Sequence, residues 1–214
     1  VGSEMCIRDR CEEMNIKFIG PSASVMDKMG DKINARSEMI KAGVPVIPGS
    51  DGEVFNAQEA LIIANKIGYP VMLKASAGGG GKGIRKVETE ADLEAAFNAA
   101  SQEALGAFGN GAMYLEKVIY PARHIEVQIL GDSHGTIIHL GERDCSLQRN
   151  NQKVLEESPS IAIGNTLRQK MGQAAVRAAQ AVAYENAGTV EFLLDEDSGE
   201  FYFMEMNTRV QVCL

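Results

Sequence analysis

The spacing of apolar and polar positions divides the chain into helical and extended stretches. From Asn56 to Gly68 the segment NAQEALIIANKIG predicts a helix, with Asn56 as N-cap, Glu59 completing a capping box and Gly68 as terminator. PVMLKA (70–75) reads as a strand, and after the glycine-rich run Ala77 to Gly83 comes a second strand, GIRKV (83–87). A helix follows over about 90–108, stacking Leu93, Ala96, Phe97, Ala100 and Ala104 on one face. In HIEVQIL (124–130) strict alternation sets His124, Glu126 and Gln128 on one face and sends Ile125, Val127 and Ile129 into the core. TIIHL (136–140), after the turn signal GDSHG, predicts a hairpin. A long helix is predicted over about 166–187, with Leu167, Met171, Ala175, Ala178 and Val182 on its apolar side and Gly188 as its stop. TVEFLLD (189–195) and GEFYFMEMN (199–207), joined by EDSG, predict a second hairpin. The pattern is α+β, without internal repeats.

Composition narrows the function classes. With 45% apolar residues in 214, the chain has enough material for a core. A net charge of −8 and a pI near 5.0 oppose attraction to nucleic acid or to anionic membranes, so neither is expected as a partner. Cys6, Cys11, Cys145 and Cys213 are scattered, with no CxxC pair and no histidine at metal-ligand spacing, as expected of reduced thiols. No apolar run approaches the roughly 18–20 residues of a membrane span, and the N-terminus lacks the layout of a signal peptide. A cytoplasmic location is the resulting expectation.

Three features carry candidate chemistry. Lys74 ends a strand and is followed by AGGGGKG (77–83), a glycine density that makes sense where backbone must approach phosphate oxygens closely. The run lacks the GK[ST] of a Walker A loop, and it also suits a flexible hairpin loop. In the last strand, the period of two puts Glu205, Asn207 and Arg209 on one face, and a register centred on Ser198 sets Glu191 opposite Glu205. Opposed carboxylates favour an intervening Mg²⁺ or Mn²⁺, although a solvated polar face has the same pattern. Arg143, Asp144, Gln148, Arg149 and Lys153 crowd into ERDCSLQRNNQKVLEE (142–157), which reads either as a solvated loop or as part of a site beside the polar face of HIEVQIL. His124 suits a ligand contact or a satisfied, partly buried histidine, and Cys145 reads as packing rather than as a nucleophile.

Taken together, MGDK (29–32), AGVPVIPGS (42–50), LKASAGGGGKGI (73–84), EKVIYPARHIEVQIL (116–130), ERDCSLQRNNQKV (142–154) and FYFMEMNTRVQV (201–212) closely resemble the biotin carboxylase family. The resemblance spans residues 11–212 and implies an ATP-grasp fold. It implies four segments: 1–10, unlike the family and expected to be non-native; 11–46, the end of an N-terminal domain and a linker; 47–120, the lid subdomain; and 121–214, a truncated C-terminal subdomain. It also implies ATP-dependent carboxylation of biotin by bicarbonate through carboxyphosphate, with biotin borne on a carrier protein or domain and a carboxyltransferase as downstream partner. Family members are often homodimers.

By the same resemblance, Lys32 and Lys74 are ATP-contacting lysines, Gly80 and Gly81 belong to the phosphate-covering loop, Glu116, Lys117 and Ile119 grip adenine, and His124 contacts the nucleotide. Glu191, Glu205 and Asn207 correspond to the metal site; Lys153, Arg209 and Val212 bind bicarbonate, and Arg209 is the catalytic arginine. Two departures stand out: Asn151 replaces a histidine common in the family, and Cys213-Leu214 stand where the family continues with Glu-His, the proposed general base. The chain is therefore expected to be a fragment. Two alternatives are nucleotide binding without turnover and a different ATP-grasp carboxylate–amine ligase.

Overall fold

A computed structural model describes residues 2–76, 83–149 and 152–209, and the chain divides into two compact units, residues 47–120 and residues 1–46 with 121–214. Gly80, Gly81, Asn151 and Val212, named above as candidate site positions or departures, lie outside the described residues.

In the unit 47–120, α4 (Ala57–Ile67) and α5 (Glu90–Phe108) pack on a three-stranded antiparallel sheet of β1 (Val71–Ala75), β2 (Ile84–Val87) and β3 (Met113–Lys117), ordered β2-β1-β3. Asn56 caps α4 by accepting the Glu59 backbone N–H at 2.8 Å, and Gly68 closes it. Leu93, Phe97, Ala100 and Ala104 recur at i, i+4, i+7 and i+11, so α5 buries one stripe against Val71, Leu73 and Leu115. Each fully buried Leu or Phe side chain there stabilises the unit by roughly 1.5–3 kcal/mol. The opposite face carries Lys74, Tyr114 and Glu116. Gly83, the last glycine of the run, has φ +68° and approaches Ala75 so closely that a Cβ would lie 2.8 Å from the Ala75 Cβ, a position no other residue suits.

In the other unit, α1 (Gly2–Glu13), α2 (Ala23–Gly30) and α3 (Lys32–Lys41) precede a four-stranded antiparallel sheet. Its strands are β4 (Ala122–Gly131), β5 (Ile137–Asp144), β8 (Asn186–Asp195) and β9 (Phe201–Asn207), ordered β5-β4-β8-β9. A two-stranded hairpin, β6 (Gln148–Arg149) with β7 (Gln152–Lys153), and α6 (Asn165–Ala181) lie between β5 and β8 in the chain. Ile125, Val127, Ile129, Val190, Phe192 and Leu194 share a core with Met171, Ala174, Ala175 and Ala178 of α6. The other face of the sheet is lined by His124, Glu126 and Gln128, as the alternation predicts.

The helix expected over 166–187 ends at Ala181. Ala183 and Asn186 take left-handed conformations (φ 51° and 72°), turning the chain into β8 three residues before the expected strand start. Pairing then runs from Gly131 opposite Asn186 to Ala122 opposite Asp195. Gly188 is thus a strand residue rather than a helix stop. A Cβ there would lie 2.2 Å from the Tyr184 hydroxyl oxygen, which explains the glycine by close approach.

A second adjustment sits in β9. Thr189 opposes Asn207 and Glu191 opposes Glu205, but Phe192 opposes Phe203, leaving Met204 as an extra, bulged residue. The bulge reverses the phase of the strand. Phe201 and Phe203 enter the core beside Phe192, whereas Glu205 and Asn207, of the same parity in sequence, stand on the polar face.

Candidate active site

The candidate residues divide between the units. In residues 47–120, Lys74 Nζ donates to Glu116 Oε2 at 2.5 Å and lies 5.7 Å from the centre of the Tyr114 ring. Lys117 Nζ donates to the carbonyls of Gly68 and Tyr69 at 2.9 and 2.8 Å, tying β3 to the end of α4. Ile119 is half-buried beyond β3. Lys32, in the other unit, is exposed in the first turn of α3, which Asp31 caps.

The remaining candidates meet on the polar face of the four-stranded sheet. Register sets Glu126 of β4 between Arg143 of β5 and Glu191 of β8, and sets Glu191 beside Glu205 of β9. The Glu126 and Glu191 side chains are 1% and 5% exposed, so two like charges are buried as cross-strand neighbours. Basic groups compensate them. Lys153, delivered by β7, donates from Nζ to Glu126 Oε2 and to Glu191 Oε1, the latter at 2.9 Å. Arg143 Nε donates to Glu126 Oε1 at 2.5 Å and its Nη1 to Gln128 Oε1 at 3.2 Å.

Glu191 is the hub. Asn207 Nδ2 donates to its Oε1 at 2.7 Å, and His124 Nε2 lies 2.8 Å from its Oε2. Burial alone pushes the Glu191 carboxyl up, but the His124 and Lys153 contacts more than offset it and hold it at about 2. Burial likewise opposes the charged form of Lys153, yet its two carboxylate partners raise it above the ordinary lysine value. Asn207 turns its Oδ1 to Arg209, whose Nη1 donates to it at 3.0 Å. Glu205 is exposed. The carboxylates of Glu191 and Glu205 and the Asn207 amide oxygen are donors suited to a hard divalent cation, and opposed carboxylates on one face are relieved by one.

The charged stretch 142–157 separates into two parts. Glu142, Arg143, Asp144 and Cys145 are buried, while Leu147, Arg149, Val154 and Leu155 are exposed. Glu142 and Asp144 point to the helical side of the sheet: Arg168 of α6 donates to Glu142 Oε1 at 2.7 Å, and Ser160 Oγ donates to Asp144 Oδ2 at 3.1 Å. Cys145 is fully buried and its thiol is pushed up to about 12, first by burial and then by the Glu126 charge, which disfavours the thiolate a nucleophile would need.

Sequence reasoning placed Glu126 on the polar face and Arg143 in the charged stretch but assigned neither a site role. The available signal is a glutamate flanked by His124 and Gln128 on the polar face of β4, since a charge there needs basic partners once that face is covered. Gln148 is named in the same charged stretch, likewise without a role of its own.

The chain belongs to the family of the carbamoyl-phosphate synthase L chain ATP-binding domain, whose model matches residues 31–213. Its fold is ATP-grasp. Within that family it is similar to biotin carboxylases: it is 56% identical over 202 residues to biotin carboxylase 1 of Bacillus subtilis (strain 168), covering 94% of this chain and 45% of the relative. Among solved structures, it matches a biotin carboxylase–β,γ-ATP complex from Campylobacter jejuni with TM-score 0.86 and 55% identity, covering 97% of this chain and 46% of that one. It also matches the biotin carboxylase domain dimer of Hydrogenobacter thermophilus 2-oxoglutarate carboxylase, in complex with MgADP, ADP and bicarbonate, with TM-score 0.84, 50% identity and the same coverage. The chain spans about half the length of the relatives it matches. Among the described residues, no helix is long and apolar enough to cross a membrane.

Proposed function

We propose that the chain forms the nucleotide- and bicarbonate-binding part of a biotin carboxylase. In this reading ATP is held by Lys32, Lys74, Gly80, Gly81, Glu116, Lys117, Ile119 and His124, and bicarbonate by Lys153, Arg209 and Val212. A bicarbonate oxygen attacks the γ-phosphorus as its bond to ADP breaks, and the resulting carboxyphosphate gives its carboxyl group to the biotin ureido nitrogen, whose proton leaves with the released phosphate. Glu191, Glu205 and Asn207 hold Mg²⁺ or Mn²⁺, which offsets charge on the phosphates. Arg209 offsets the charge developing on the biotin ureido oxygen.

The observation that carries the reading is the Glu126–Lys153–Glu191–Asn207–Arg209 chain of contacts on one sheet face. Its cations and oxygen donors suit both a metal-bound polyphosphate and a small oxyanion, and it occurs in a chain more than half identical to a biotin carboxylase. Biotin is carried on a carrier protein or domain, a carboxyltransferase takes the product, and the enzyme is a cytoplasmic homodimer. The free thiols of Cys6, Cys11 and Cys145 support the compartment, and the dimeric Hydrogenobacter domain supports the assembly.

Two experiments test this. Calorimetry of MgATP with the chain, Lys74→Ala and Glu205→Ala is expected to give metal-dependent binding that weakens in both variants. Grafting residues 11–212 into the matching segment of the Bacillus subtilis relative is expected to preserve bicarbonate- and biotin-dependent ATP hydrolysis. A graft that ligates an amine to an acyl group and ignores biotin overturns the reading in favour of another ATP-grasp ligase.

A further inference from the structure

We propose that Gln148 is a positioning residue that fixes His124 as the tautomer protonated at Nε2, so that His124 presents a hydrogen-bond donor to Glu191 and to the ligand site. The inference deepens the functional reading above and rests on His124 belonging to that site.

The argument is an accounting of protons. Gln148 Nε2 lies 2.9 Å from the carbonyl oxygen of Cys145 and 2.8 Å from His124 Nδ1. A carbonyl oxygen can only accept, so the amide nitrogen of Gln148 faces it; the reversed amide would set two acceptors against each other. With one amide proton committed to Cys145, the other points at Nδ1. Nδ1 must then accept, and the ring proton resides on Nε2. The other end of the ring agrees. Nε2 is buried and lies 2.8 Å from Glu191 Oε2, where a proton is attracted and a lone pair is repelled.

The backbone holds the amide in reach. His124 N–H donates to Ser146 Oγ at 3.0 Å, and Cys145 N–H donates to the His124 carbonyl at 2.8 Å, so the segment that bears Gln148 is laced to β4 at His124 itself. Gln148 also pairs with Lys153 across the β6–β7 hairpin, so one two-stranded element delivers a partner to each oxygen of Glu191: Lys153 directly to Oε1, and Gln148 through His124 to Oε2.

The test is the nitrogen spectrum of the imidazole. The full chain, labelled with ¹⁵N-histidine, is read by long-range ¹H–¹⁵N correlation across a pH series, which distinguishes a doubly protonated ring from either neutral tautomer. A His124→Gln spectrum assigns the signal among the three histidines. The expected result is an unprotonated Nδ1 and a protonated Nε2; a protonated Nδ1 in the wild-type chain overturns the proposal whether or not any variant folds. In Gln148→Leu the Nδ1-protonated form is expected to become populated, and in the near-isosteric Gln148→Glu it is expected to predominate. A folded Gln148→Glu chain that keeps the wild-type pattern also overturns the proposal. The measurement requires no nucleotide, so its failure is distinguishable from a failure to bind MgATP, which counts against the functional reading instead.

Discussion

Glu126 and Glu191 stand directly opposite each other on neighbouring strands, and one ammonium group, that of Lys153, serves both carboxylates. Two buried acids side by side are tolerated because Lys153 and Arg143 bring compensating charge and hydrogen-bond donors to them. The ion pairs therefore hold the sheet together as well as forming the candidate site.

Removing one member should be costly. Lys153→Met leaves Glu126 and Glu191 facing each other without their shared cation, and is expected to lower the unfolding free energy by about 3–5 kcal/mol. Urea denaturation measures it. Adding Glu126→Gln to Lys153→Met should recover part of the loss, because one of the two stranded charges is then neutral.

Exposure separates stability from ligand binding. Glu205 is exposed, so Glu205→Ala should change stability by no more than about 0.5 kcal/mol while weakening metal-dependent ATP binding. Glu191→Ala, which strips Lys153, Asn207 and His124 of a common partner, should weaken binding and also destabilise the fold. Parallel melts and MgATP titrations of the two variants check the contrast.

Asp144 gives an acid-side dependence. Burial raises its carboxyl, but hydrogen bonds from Ser146 and Ser160 and the nearby Arg123 charge hold it below the ordinary 3.8. Its stabilising contribution is therefore complete above pH 3.8 and is lost as pH falls through the depressed folded-state value. Asp144→Asn should be less stable than the wild type at pH 7, and the gap should narrow below pH 3.8 in thermal melts across the acid range.

Gly188→Ala drives a methyl group into the Tyr184 hydroxyl, which itself donates to the Ala187 carbonyl at 3.0 Å. A loss of about 1–3 kcal/mol is expected. The methyl would also lie 2.4 Å from Tyr184 Cζ and 2.8 Å from its Cε1, so adding Tyr184→Phe, which removes only the hydroxyl, should restore little of the stability in the same denaturation assay.

Much of the architecture is legible in local pattern. The α4 cap at Asn56, the α5 stripe from Leu93 to Ala104 and the alternation of HIEVQIL follow from neighbours within a turn or a strand, and the structure repeats them. The end of α6 is different. Gly188 looks like a helix stop, but ten consecutive pairs between β4 and β8 outweigh the local signal and draw Asn186 and Ala187 into the sheet.

The amino-acid sequence by itself determined the α+β pattern, the family resemblance and the presence of Glu191, Glu205, Asn207, Lys153 and Arg209 as candidate ligands. Tertiary structure alone decided how they meet. A period of two cannot place Phe203 in the core and Glu205 on the polar face, and the bulge at Met204 that permits both exists only because β9 pairs with β8. The same holds for Lys153, which lies 27 residues from Glu126 and 38 from Glu191 in the chain and reaches both through the β6–β7 hairpin. Local spacing encodes which face a side chain occupies, whereas long-range strand pairing and charge compensation select its partner.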